Sequence, residues 1–150
     1  MKEATLIRKA IPGDEISIIR LVQELAEYEK EPDAVINTPQ QLAIDLFQDK
    51  ICECFVLEID EVIRGMALYY TSYSTWRGKC LYLEDLYIQP EYRRGGYGLD
   101  LFNRLLDQAK ELKVKRMDWQ VLEWNESAIK FYQKIGAELD PEWWNGRLYF

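Results

Sequence analysis

The stretch "KCLYLEDLYIQPEYRRGGYGLDLF", residues 79–102, runs from an apolar segment through three glycines and two arginines into a second apolar segment. Residues 79–88 read as a strand. Phe102, Leu105, Leu106, Ala109 and Leu112 recur on one face of a helix that starts near Gly98. A turn needs one glycine, so three beside Arg93 and Arg94 describe a backbone built to surround an anion. Converging amides at a helix N-terminus bind phosphate oxygens, and glycine lets the ligand come close to the main chain. The two arginines add charge-assisted donors. The spacing fits neither G-x-G-x-x-G nor G-x-x-x-x-G-K-[ST], which argues against a dinucleotide fold and a phosphate-loop NTPase. The competing reading of the same residues is a mobile surface turn.

On either side of this stretch the pattern is mixed. "TLIRK" (5–9) is a short strand, and from Asp14, a plausible cap, Ile18, Leu21, Val22, Leu25 and Tyr28 recur at helical spacing. A second helix starts at Thr38 with Pro39 at its first position. "CECFVLEI" (52–59), "VIRGMALYYTSY" (62–73) and residues 79–88 form an antiparallel meander joined by short polar turns. After the long helix, "RMDWQVL" (116–122) reads as another strand. Asn125 caps a short helix that turns Ala128, Phe131 and Ile135 inward and stops at Gly136. The tail "EWWNGRLYF" suggests a hairpin turning at Asn145-Gly146. The expected architecture is an α/β (α+β) mixed sheet, mostly antiparallel and twisted, flanked by about four helices, as one domain spanning residues 1–150.

Composition narrows the chemistry. The chain has no histidine, so neither a Ser-His-Asp triad nor a histidine metal site can be built, and no metal is expected. Proton transfer falls to Glu, Asp, Tyr, Lys or Cys. A net charge of −7 argues against nucleic acid as a partner, because phosphate binding needs a basic face. An acidic chain with one basic, glycine-rich loop suggests two ligands of opposite charge. Cys52, Cys54 and Cys80 lack metal-ligand spacing and read as reduced, packed thiols. No apolar run approaches 18 residues and no signal peptide is evident, so the expected setting is cytoplasmic, without a membrane.

"RRGGYG" (93–98) resembles the R/Q-x-x-G-x-G/A pyrophosphate loop of the GCN5-related N-acetyltransferases, with Arg93, Gly96 and Gly98 at the defining positions. "WNESAIKFYQKIG" (124–136) is similar to that superfamily's N-x-x-A-x-x-F-Y-x-x-x-G segment. More narrowly, "ELAEYEK" (24–30), "YSTWRGKCLYLEDLYIQPEYR" (73–93) and 124–136 resemble the diamine (spermidine/spermine) N-acetyltransferase family, nearest its thialysine-acetylating branch.

The resemblance implies the GNAT fold, acetyl-CoA as donor and a primary amine of a small cationic substrate as acceptor. It implies that Leu86, Tyr87 and Ile88 offer main-chain bonds to the acetyl and pantetheine groups. Arg93, Arg94, Gly95, Gly96, Tyr97, Gly98 and Leu99 would surround the diphosphate, with Asn125, Ser127 and Ala128 also at the cofactor. Tyr132 is the expected acid for the CoA thiolate and Glu84 the expected base, acting through water. As neighbours on a strand, Glu84 and Asp85 are expected to face opposite sides. Tyr28, Glu29, Trp76, Glu84 and Asp85 form the expected amine site. Ser74 stands where polyamine-specific members carry an aspartate, which favours a lysine-like amine over a long polycation. A homodimer is expected by the same resemblance. Two rivals are acetylation of a protein or peptide amine, and a CoA-binding sensor without turnover; the presence of both Glu84 and Tyr132 argues against the sensor.

Overall fold

Period-two alternation builds the sheet. In a computed structural model that describes residues 4–150, β1 (Thr5–Lys9), β2 (Glu53–Ile59), β3 (Val62–Ser74) and β4 (Gly78–Ile88) pair antiparallel in chain order. The short β5 (Met117–Asp118) joins β4 in parallel. Alternate residues of the central strands point to opposite faces. Cys54, Val56, Met66, Leu68 and Tyr87 meet Ile18 and Leu21 of α1 (Glu15–Tyr28) and Leu42 of α2 (Pro39–Ala43) in one buried cluster. Phe55, Ala67, Tyr69, Leu81 and Leu83 are buried on the other face, where Arg104 of α3 (Tyr97–Glu111) stands 4.8 Å over the Phe55 ring. Leu101, Phe102 and Leu105 of α3 are buried as well, in agreement with the helical periodicity of that segment.

The ends of the helices follow local chemistry. Thr38 Oγ1 accepts from the Gln41 amide at 3.1 Å, with Pro39 entering the helix, and the chain continues beyond α2 as one π-turn, Ile44–Gln48. Asp14 precedes α1, but its carboxylate does not cap that helix. Arg8 of β1 takes it instead, at 2.7 Å, while also donating to Glu58 of β2 at 2.9 Å. An ion pair to the neighbouring strand has displaced the cap.

The chain divides into two compact units between Trp119 and Gln120. The second unit carries α4 (Glu126–Lys134). Asn125 Oδ1 caps it by accepting from the Ala128 amide at 3.3 Å, and Gly136 follows it with φ +89°. Three sequence expectations change here. The strand expected over 116–122 is only the two residues of β5. In α4 the buried side chain is Tyr132, while Ala128, Phe131 and Ile135 are half-buried. The Asn145-Gly146 hairpin is not formed: residues 138–150 hold no helix or strand. Trp143, Trp144, Leu148, Tyr149 and Phe150 are all exposed, so no buried apolar face pins a register for two tail strands.

The tightest backbone approach in the sheet is at Gly65, which pairs with Ile88. A Cβ there would stand 2.5 Å from Ile88 Cδ1 and 3.0 Å from the Tyr87 carbonyl oxygen. Gly65→Ala is expected to destabilise the protein by about 1–3 kcal/mol, read as a lower urea midpoint at unchanged slope.

Candidate active site

One extra residue in β4 shapes the acidic part of the site. Leu68 pairs with Asp85 and Tyr69 with Leu83, so Glu84 is the inserted residue of a β-bulge. Leu83 shares the face of Tyr69, and the alternation restarts after Glu84. Glu84 and Asp85 therefore stand on the same face, that of Leu68 and Tyr87, and not on opposite faces as simple alternation predicts. The electrostatics agree, because the charge of Glu84 acts on both Asp85 and Tyr70. Asp85 is half-buried, and burial pushes its carboxyl up to about 7, with the charges of Glu84 and Glu29 adding to the effect. Burial also raises Glu29, at the C-terminal end of α1. Glu84 itself is exposed. Three of the five expected amine-site residues thus form one electrostatic group.

Tyr28 stands beside that group and is 40% exposed. Trp76 does not join it by any contact. It lies in the β3–β4 turn, 86% exposed, where Ser74 Oγ accepts from the amides of Trp76 and Arg77. Gly78, which opens β4, is already six residues from Glu84, or roughly 20 Å along a strand.

The anion loop is a 3₁₀ turn, Pro90–Gly95, followed by Gly96 at φ +80° and then α3. That left-handed φ turns the chain into the helix, and only glycine adopts it without strain. Gly95 is needed for a different reason: a Cβ there would lie 2.6 Å from the Tyr97 ring. Nothing would stand within 4 Å of a Cβ at Gly96 or Gly98, so this side of the bend is open. The amides of Gly98 and Leu99, in the first turn of α3, have no carbonyl inside the helix to donate to. With the exposed Arg94 they make a donor set suited to a diphosphate. The edge of β4 beyond Tyr82 has no ladder partner among the described residues, because β5 pairs only with Leu81 and Tyr82. Along Leu86–Ile88 that edge has no paired strand among the described residues, and the Ile88 carbonyl is taken by Arg93.

Arg93 is placed differently from Arg94. Its Nε donates to the Ile88 carbonyl at 2.8 Å, and its guanidinium lies 5.2 Å from the Tyr28 ring and 5.3 Å from the Tyr87 ring. Tyr87 in turn donates through Oη to Glu24 Oε1 at 3.0 Å, and Gln89 Nε2 donates to Glu24 Oε2 at 3.0 Å. Burial and the bond to Glu24 push the Tyr87 phenol up to about 12. Glu24 and Gln89 were not among the residues expected at the site. In the sequence Glu24 is one acid in a run of acids, and nothing local marks it as the one that turns inward. In the second unit Tyr132 is buried with its ring 5.4 Å from Phe131, Ala128 is half-buried and Ser127 is exposed.

A carboxyl whose native pKa lies above its unfolded value holds its proton more tightly when folded. Its contribution to stability therefore falls as pH rises from about 4 to about 7 and is level above that window. Asp85→Asn removes this dependence. The variant is expected to gain roughly 1–3 kcal/mol on the wild type between pH 5 and pH 8, measured by urea unfolding at each pH.

The chain matches the acetyltransferase (GNAT) family over residues 18–137. It is 39% identical over 124 residues to a thialysine N-epsilon-acetyltransferase of Caenorhabditis elegans, a match covering 83% of this chain and 77% of that protein. To the thialysine N-epsilon-acetyltransferase of Bos taurus it is 37% identical, over 93% of this chain and 89% of the other. An aminoglycoside N-acetyltransferase AAC(6')-Iy, solved in complex with CoA, shares the fold with a TM-score of 0.82 at 16% identity, over 99% of this chain and 97% of that one. A family match across most of the chain, on an open mixed sheet shared with solved acetyltransferases, leads to one assignment: the protein belongs to the GNAT family and is an N-acetyltransferase.

Proposed function

We propose that this enzyme moves an acetyl group from acetyl-CoA to the primary amine of a small, lysine-like cation, by direct attack in a ternary complex. The observation that carries the reading is the bulge at Glu84, which gathers Glu84, Asp85 and Glu29 into one acidic group beside Tyr28. Such a group attracts an alkylammonium ion, and an arriving positive charge offsets the mutual repulsion of the carboxylates. The thialysine acetyltransferases among its relatives support a short diamino acid as substrate. Ser74, in place of the aspartate of polyamine-specific members, supports it too.

The chemistry poses two proton problems. An alkyl amine with a pKa near ~10.4 is neutral in about one molecule in 10³ at pH 7, a deficit of roughly 4–5 kcal/mol. We assign Glu84 to take that proton through a water. Bound acetyl-CoA supplies the acyl group as a thioester, activated toward an amine. When the amine nitrogen bonds to the carbonyl carbon and the C–S bond breaks, Tyr132 returns a proton to sulfur. The amides of Gly98 and Leu99 with Arg94 would hold the diphosphate, and the unpaired edge at Leu86–Ile88 would hold the acyl arm, with Asn125, Ser127 and Ala128 as further cofactor contacts. We read both units as one transferase domain, a reading supported by a family match that runs through the division at Trp119. A cytoplasmic homodimer remains our reading from the sequence resemblance. Among the described residues no helix is long and apolar enough to cross a membrane.

Incubation with acetyl-CoA and a panel of amines is expected to release one thiol per acetylated amine, fastest with thialysine or lysine and slower with spermidine. Tyr132→Phe is expected to keep the fold and lose about 10²-fold or more in kcat. Tight CoA binding without thiol release from any amine would replace the reading with a sensor. Glu84→Gln is expected to slow turnover by about 10²–10⁴ at pH 7 and to recover as pH approaches the amine pKa. An unmoved pH–rate profile removes Glu84 from the role of base.

A further inference from the structure

Arg93 opens the glycine-rich loop, yet its bonds run back into the protein. The Nε bond to the Ile88 carbonyl ties it to the last residue of β4. Its guanidinium lies over two rings, Tyr87 from the same strand and Tyr28 from the end of α1. Glu24, one turn before Tyr28, holds the Tyr87 hydroxyl and the Gln89 amide, so Tyr87 cannot swing away from the arginine. A guanidinium that bonds a carbonyl and rests on aromatic faces is oriented by all of them together. The loop and the end of α1 thus share one cation, and the residue after Tyr28 is Glu29 of the acidic group.

We infer that Arg93 is a positioning residue that couples the diphosphate loop to the amine-binding end of α1 through Tyr28, so that filling one ligand site strengthens the other. The inference rests on the loop being the acetyl-CoA site. A loop that is ordered only when Arg93 sits on Tyr28 and Tyr87 presents its amides in one arrangement. A diphosphate that favours that arrangement also favours the α1 position that brings Tyr28 and Glu29 to the amine. By linkage the amine then strengthens CoA binding by the same factor.

The test uses CoA itself as probe, without turnover, by titration calorimetry. Tyr28→Leu is expected to weaken CoA binding to the amine-free enzyme about threefold to tenfold, from loss of the ring beneath the cation. Tyr28→Phe keeps the ring and is expected to bind CoA as the wild type does. In an Arg93→Gln background, Tyr28→Leu is expected to have no further effect. In the wild type, thialysine is expected to bind more tightly when CoA is saturating than when it is absent, a measurement that needs no variant to fold. Equal CoA affinity in the wild type and Tyr28→Leu would overturn the inference, as would an undiminished Tyr28→Leu effect in the Arg93→Gln background, or thialysine affinity indifferent to CoA. A wild type that binds no CoA overturns the acetyl-CoA reading and the inference with it, whereas the other failures leave that reading standing.

Discussion

One inserted residue in β4, in its ladder with β3, decides where the carboxylates of that strand stand. With an unbroken ladder, two neighbouring carboxylates on β4 would point to opposite faces, one into each core. The bulge at Glu84 removes that separation. It leaves both carboxylates on the side that α1 covers, where Glu29 adds a third charge and partial burial makes ionisation of Asp85 unfavourable. Such a cluster carries an energetic cost, because like charges and burial both disfavour its ionised form. In a chain without histidine, Asp85, pushed up to about 7 by burial and its acidic neighbours, brings a titrating group to neutral pH.

The same strand leads into the glycine-rich bend. Beyond Tyr82, β4 loses its neighbour on one side and ends in Ile88, whose carbonyl is taken by Arg93. The turn that follows is then forced into α3 by Gly96, with Gly95 pressed beneath the Tyr97 ring. An acidic face and a glycine-rich, arginine-bearing bend therefore lie a few residues apart on one continuous segment, and Glu24 and Tyr28 hold α1 against both. Opposite charges are kept in adjacent sites by covalent order as much as by packing.

Much of this was legible in residues 79–102 and their flanks. Strong alternation located β2, β3 and β4, and short-range chemistry located Thr38 with Pro39, Asn125, and the glycines at 95, 96, 98 and 136. Where the structure departs from the sequence reading, a distant residue has won over a near one. Asp14 has the right type and place for a cap, but Arg8 of β1 takes its carboxylate and is itself held by Glu58 of β2. Tyr132 is buried in place of its half-buried neighbours on α4, and the aromatic tail forms no hairpin despite its Asn-Gly pair.

The sequence alone determined most of the elements, the glycine-rich bend and the family, because caps, turns and periodicity act over a few residues and are written in order along the chain. Only the tertiary structure decided the face on which Asp85 stands, the partner of Glu24 and the position of Arg93. Each depends on register or contact between segments separated by fifteen to seventy residues, here Leu68 with Asp85, Glu24 with Tyr87 and Tyr28 with Arg93. A shift of one residue in a ladder reverses which face a side chain occupies, and no local preference of the residue itself reports that shift.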